Sequence, residues 1–330
     1  MKIHLAVYAL LLVALVAAAG FIPSGAQDAS TPSPQPPSSG APPLNPLKVA
    51  LLKWYPANST TSFKVGDNPY AIAFDGANVW VTNNGDSTVT KLRASDGENL
   101  GTFNVGGAPM GVAFDGANIW VVNSFPNTVT KLRASDGKNL GEFPVGRVPF
   151  FAAFDGEAVW VTNTQGASVT KLRASDGKVL GTFADTAGPI DIICDGTYVW
   201  VTNFDGTVSR FKLDGKPAGV FNVSRGGLLT LAFDGANIWL PNGGGTVTKL
   251  RASDGKNLGT FGAGNADGSG ITFDGVNLWL SGSTYIVEMR PSDGKVLFQK
   301  HISNLLIAGL AFDGANIWVA GWGADSAHKL

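Results

Sequence analysis

Phe114-Asp115-Gly116-Ala117-Asn118-Ile119-Trp120 recurs along this chain, and the recurrence restricts the fold more than any other feature. Its Trp has counterparts at Trp80, Trp160, Trp200, Trp239, Trp279 and Trp318. An Asp-Gly pair precedes each of them: Asp75-Gly76, Asp155-Gly156, Asp195-Gly196, Asp234-Gly235, Asp274-Gly275 and Asp313-Gly314. Successive Trp residues lie 39 or 40 positions apart. A constant period of that length denotes one supersecondary unit that buries its apolar surface against copies of itself. Seven contiguous copies therefore read as one closed unit rather than two domains, although the chain has 330 residues.

Within one copy the pattern is that of strands. Residues 110–114 alternate and end at the turn Asp115-Gly116-Ala117-Asn118, and 118–122 form a second apolar run. Residues 128–133 are rich in β-branched side chains, and Ala134-Ser135-Asp136-Gly137-Lys138 turns the chain into a fourth segment, 139–145. Pro144 suits an outer edge. Four short antiparallel strands per repeat of this length make a propeller blade, so the expected fold is all-β, a seven-bladed β-propeller. Ser62-Phe63-Lys64-Val65-Gly66 matches Thr102-Phe103-Asn104-Val105-Gly106, and Lys329-Leu330 aligns with Lys91-Leu92 at the end of a third strand. The last blade is thus expected to combine three C-terminal strands with one N-terminal strand, which hides the sheet edges. Residues 49–53 also align with the third-strand stretch 89–93, so a two-plus-two closure fits as well.

Composition narrows the setting. Charged residues make up 15% of the chain, 24 basic against 25 acidic, and no basic field exists to hold a nucleic acid. Lys2 followed by the apolar run 5–22 has the form of a secretory signal over residues 1–26 with cleavage after Ala26; retention as a membrane anchor also fits its length. Residues 27–47 form a Pro/Ser-rich spacer, with seven prolines between 27 and 46, and residues 48–330 hold the repeats. The expectation is an exported monomer, periplasmic, cell-surface or extracellular. The single cysteine, Cys194, stands where the other repeats have Phe and reads as a small buried hydrophobe.

Comparing the repeats with one another separates scaffold from candidate site. The turns after the first strand (Gly76-Ala77-Asn78, Gly235-Ala236-Asn237) and after the third (Ala94-Ser95-Asp96-Gly97, Ala134-Ser135-Asp136-Gly137, Ala252-Ser253-Asp254-Gly255) barely change, and both fall on one end of the ring. Connections on the other end diverge: Asn83-Asn84-Gly85-Asp86, Ser124-Phe125-Pro126, Asn203-Phe204-Asp205-Gly206 and Gly321-Trp322-Gly323-Ala324. Divergent loops on a rigid scaffold are where specificity can reside. The Asp of each Asp-Gly pair is expected to cap its own turn rather than to bind metal, and Asn83, Asn123, Asn163, Asn203 and Asn242 are expected in Asx turns. Lys91 and Arg93 are expected as solvated stems.

Three positions before the Phe of each inner strand stand Ala71, Gly111, Phe151, Asp191, Thr230, Gly270 and Gly309. Small residues suit strands crowded at an axis, and Phe151, Asp191 and Thr230 depart from that on consecutive blades. Arg147, Asp185 and Arg225 lie in the loops leading into those blades. With Tyr70 and Phe150 one position earlier, and Phe204 and Trp322 in the divergent loops, they form the candidate ligand-binding set at the channel mouth. No catalytic residue, metal ligand or cofactor is assigned.

Trp80-Val81-Thr82-Asn83, Trp160-Val161-Thr162-Asn163 and Trp200-Val201-Thr202-Asn203 resemble the Tyr-Val-Thr-Asn motif of the bacterial and archaeal YVTN-family repeats, with Trp for Tyr. The resemblance covers residues 64–330 and implies a seven-bladed propeller in an exported or surface protein, commonly a binding or structural module. More distantly the repeats resemble NHL-type propellers and streptogramin B lyase. That lyase family implies His and Glu with a divalent metal on one face, but outside the signal this chain has only His301 and His328, neither in that pattern. A quinoprotein role lacks its Cys pair and Ca²⁺ cluster. The expected function is therefore non-enzymatic binding of a protein, peptide or glycan. The alternative is a hydrolase or lyase using Asp191 as acid–base, for which the sequence offers no nucleophile–His pair.

Overall fold

The computed structural model describes residues 61–330 except 186, 224–229 and 303–304. The signal, the spacer, the 49–53 alignment and Arg225 lie outside the described residues. Seven four-stranded antiparallel sheets form a ring of blades. Blade 1 runs Pro69–Phe74, Asn78–Asn83, Thr88–Arg93, Asn99–Asn104 from the axis outward, and blades 2–6 repeat this order. In blade 7, Leu306–Phe312, Ile317–Trp322 and Ser326–Lys329 are followed by Thr61–Lys64 as the outer strand. Ser62 lies opposite His328 and Phe63 opposite Ala327, so the closure is three-plus-one. The third-strand place that a two-plus-two arrangement would give to residues 49–53 is held by Ser326–Lys329.

The repeated motif builds each blade through a chain of hydrogen bonds. Asp75 Oδ1 accepts the N–H groups of Ala77 and Asn78 at 2.9 and 2.6 Å, while Gly76 takes φ 95°. The second oxygen accepts the indole N–H of Trp80 at 2.8 Å. The same indole–carboxylate bond, 2.7–2.8 Å, recurs in all seven blades. It satisfies the one polar atom of a ring that, in every blade but the sixth, is otherwise buried between sheets. The Asp is thus a turn cap, as expected, and also the anchor of the Trp five residues on.

Two scaffold expectations change. Lys91 is not a solvated stem: it is 6% exposed, lies 5.2 Å over the Trp80 ring, and donates to the Ala134 and Ser135 carbonyls of the next blade. Lys131, Lys171, Arg210, Lys249 and Lys329 repeat this staple around the ring. Alternation places Lys91 on the buried face of its strand, where an ammonium can be satisfied by carbonyls and a π face. Arg93, two residues on at the end of the same strand, is exposed and pairs with Asp96 as a solvated side chain does. The Asn residues form no Asx turns either. Asn83 is fully buried, and its Nδ2 donates to Thr88 and Thr90 of the third strand.

The Thr of the motif joins neighbouring blades. A register shift between Pro69 and Ile72 takes the Ala71 N–H out of the ladder. Thr82 Oγ1 accepts that N–H at 2.9 Å and donates to the Met110 carbonyl of blade 2 at 2.9 Å. Thr162 does the same between Phe151 and Ile190. The inner strands are as crowded as expected: a Cβ on Gly111 would lie 2.6 Å from Phe151 Cα, and one on Gly309 would lie 2.6 Å from the Tyr70 carbonyl oxygen. Cys194 packs with the cluster containing Trp160 and Val199, and burial pushes its thiol up to about 12, as suits an inert packing residue.

Blade 6 departs from this scheme. Glu288 takes the place of the stapling Lys and accepts from Asn277 Nδ2 within its own blade. Lys300 replaces the outer-strand Phe that elsewhere packs on the Trp. In blades 1–6 that Phe of the preceding blade fits beneath the glycine of the third turn, as Phe103 does under Gly137. Blade 7 has no such turn, because its third and outer strands come from distant parts of the chain. Both partners that Lys and Phe would need are missing at this one junction. Trp279 is accordingly only half-buried.

Candidate functional site

Antiparallel order puts the first-to-second and third-to-outer turns on one end of the ring and the other connections on the opposite end. At the constant end, the motif Asp, Asn and Lys side chains are consumed by the scaffold bonds described above. The divergent end differs. Phe125 and Phe204 are 48% and 44% exposed, and Leu306 and Arg147 are also exposed there.

Tyr70, Phe150, Phe151 and Trp322 converge at this end of the channel. The Tyr70 ring centroid lies 6.2 Å from Phe150 edge-on, 6.1 Å from Phe151 and 5.7 Å from Trp322 edge-on, and Phe150 and Phe151 are 5.6 Å apart. Blades 7, 1 and 3 therefore meet across the gap that Gly111 leaves in blade 2. Only Phe150 is fully buried; Tyr70, Phe151 and Trp322 each keep part of their surface open.

Asp191 completes the group from blade 4. Its N–H is held by Thr202 Oγ1, while Oδ1 accepts from Ile192 N–H at 2.8 Å and Oδ2 from Leu231 N–H of blade 5 at 3.2 Å. Burial pushes its carboxyl up to about 7, outweighing those two amide donors. The Tyr70 hydroxyl is raised too, first by burial and then by the Asp191 charge, which marks the two as near neighbours. Thr230, beside Leu231, has a buried hydroxyl with no partner. No ion pair reaches Asp191 among the described residues.

The remaining candidates sit apart from this cluster. Arg147 is exposed and joins the divergent loop of its blade, its carbonyl accepting from Gly166 N–H. Asp185 is buried further out in blade 4, its carboxyl raised by burial and eased by Ser209 of the third strand. Arg225 lies outside the described residues. Phe204 packs on Gly188, three residues before Asp191.

Register gives a signal that pairwise comparison of the loops did not. Phe204 and Trp322 occupy the same repeat position as Asn84, Ser124 and Thr164. Those three donate to the carbonyls of Pro109, Pro149 and Pro189 at the start of the next inner strand. In blades 4 and 7 that bond is replaced by an aromatic ring at the mouth.

One hydroxyl–imidazole pair occurs that the sequence reading did not foresee: Ser326 Oγ and His328 Nε2 are 2.9 Å apart. They occupy the places of Thr88 and Thr90, and Gly321 stands where Asn83 would bond to them. The pair fills the scaffold network of blade 7, Ser326 is buried, and burial lowers the His328 pKa. His301 packs on Tyr285 at 4.9 Å. Among the described residues no group of three His, Cys, Asp or Glu could hold a metal ion. The chain matches no protein-family model and no curated protein.

Proposed function

We propose that this chain is an exported YVTN-type β-propeller that binds a protein, peptide or glycan through its divergent end. The observation that carries the reading is the division of labour between the two ends. One end spends its polar side chains on scaffold bonds, while the other departs from the repeat and leaves Phe125, Phe204, Leu306 and Arg147 exposed around an aromatic mouth. Lys2, the apolar run 5–22 and the Pro-rich spacer support export and a stand-off from a surface.

Peptide and glycan arrays probed with the full-length protein test this reading. Binding should fall on Phe204→Ala or Arg147→Ala and persist in the constant-end variants Arg93→Ala and Val276→Ser. The reverse pattern would reject it. A second reading, a hydrolase or lyase, is favoured by the Asp191 carboxyl near pH 7, where an acid–base group works best. Turnover of lactones or cyclic depsipeptides that is lost in Asp191→Asn would establish it.

A further inference from the structure

Asp191 is out of place for a scaffold residue. Its position on the inner strand holds Ala or Gly in blades 1, 2, 6 and 7, where the strands leave no room for more. It is a half-buried carboxylate with no ion pair among the described residues, and each oxygen accepts a single amide. A carboxylate offers about four lone-pair sites, so acceptor capacity remains. Thr230, whose hydroxyl is unpartnered, adjoins the Leu231 amide that Asp191 holds, and the Tyr70 hydroxyl lies within reach of the Asp191 charge. Burial without a counter-charge is costly, and buried polar groups without partners are the exception in folded proteins.

The described surroundings select the sign and shape of the group that the mouth can receive. Tyr70, Phe151 and Trp322 keep part of their surface open, and their rings differ in orientation, so π faces and edges both line the mouth. Aromatic faces attract a cation, and a single carboxylate neutralises one positive charge. A guanidinium would seek a bidentate carboxylate, but each Asp191 oxygen already holds an amide. An ammonium is a compact point charge that one oxygen and one hydroxyl can satisfy.

We propose that the channel mouth receives an organic ammonium group, the side-chain head of a lysine or methyl-lysine residue in a peptide partner, between Asp191, Thr230 and the Tyr70–Phe151–Trp322 rings. This rests on the divergent-end reading and narrows its ligand to a lysine-bearing peptide.

The test is calorimetric titration of the full-length protein at pH 8 with Nα-acetyl-lysine amide, its trimethyl-lysine analogue, Nα-acetyl-arginine amide and Nα-acetyl-norleucine amide. Saturable binding of the lysine compounds, at least tenfold tighter than of norleucine and arginine amides, is expected. Asp191→Asn should weaken it at least tenfold and Tyr70→Leu several-fold. Thr230→Val, which removes only the hydroxyl, provides a third variant should either of those misfold. Equal binding of norleucine amide, unchanged affinity in folded Asp191→Asn, or no binding of either lysine compound would overturn the proposal. Array ligands that need Phe204 and Arg147 but carry no ammonium would overturn this inference and leave the divergent-end reading intact. Ligands that map to the constant end would reject both.

Discussion

At the scale of single residues, two kinds of aspartate have opposite electrostatics. Burial raises the Asp115 carboxyl, but donors from Trp120, Asn118 and the backbone outweigh it and leave the pKa below its ordinary value. Asp155, Asp234 and Asp313 behave alike. A depressed folded pKa means stability that is complete above the unfolded value and is lost as pH falls through the folded one. Melting temperature should therefore drop steeply below about pH 4. Asp115→Ala should cost about 2–3 kcal/mol at pH 7, read from urea midpoints, because it leaves a buried indole N–H unpaired. Asp191 has the opposite sign. Its folded pKa is raised to about 7, so the neutral form stabilises the fold below the unfolded value and that contribution disappears as pH rises to 7. The stability of Asp191→Asn relative to the native chain should then climb between pH 4 and pH 8, by at most about 4 kcal/mol. A flat difference across that range would show that burial does not control this carboxyl.

At the scale of elements, blades are joined by side chains rather than by strand pairing. Lys131 donates to the Ala174 and Ser175 carbonyls and lies 5.0 Å from the Trp120 ring. Lys131→Met keeps the stem but leaves those carbonyls without their donor, and should cost about 1–3 kcal/mol. Arg133→Met, two residues on, should change stability by less than about 0.5 kcal/mol, because exposed pairs contribute little. Equal effects of the two substitutions would refute the staple. Gly137→Ala tests the Phe lock: φ is +73° and the added Cβ would fall 2.0 Å from Phe103 Cε1. Loss of several kcal/mol in denaturant unfolding is expected, more than the roughly 1 kcal/mol of backbone strain alone.

At the scale of the whole molecule, the ring has one junction without either lock. Blade 6 carries Glu288 and Lys300 where Lys and Phe recur elsewhere, and blade 7 lacks the turn they would engage. Local opening starts where buried contacts are fewest. Native-state hydrogen exchange should therefore be fastest for amides of Tyr285–Met289 and Ser326–Lys329, compared with the equivalent Thr128–Arg133 of blade 2. Uniform protection around the ring would show that strand closure alone equalises the junctions.

The period and alternation were enough to read seven blades, the strand limits within a residue or so and the Gly-lined axis. Each of these follows from local pattern repeated in register. The same pattern left three-plus-one and two-plus-two closure both open until the pairing of Thr61–Lys64 with Ser326–Lys329 decided for the first. What the repeat could not show is where a side chain goes once blades stack. Lys91 resembles any surface lysine in sequence, yet the pleat turns it onto Trp80 and into the next blade. Asn83 resembles a turn residue, yet it lies buried against Thr88 and Thr90. Asp191 and Thr230 stood out as departures on neighbouring inner strands, but their link to Tyr70 and Trp322 exists only across the ring. The sequence by itself determined the unit and its number, because packing within a blade is set by residues near in the chain. Tertiary structure alone decided the staples, the weak junction and the composition of the mouth, because those depend on contacts between side chains tens to hundreds of residues apart.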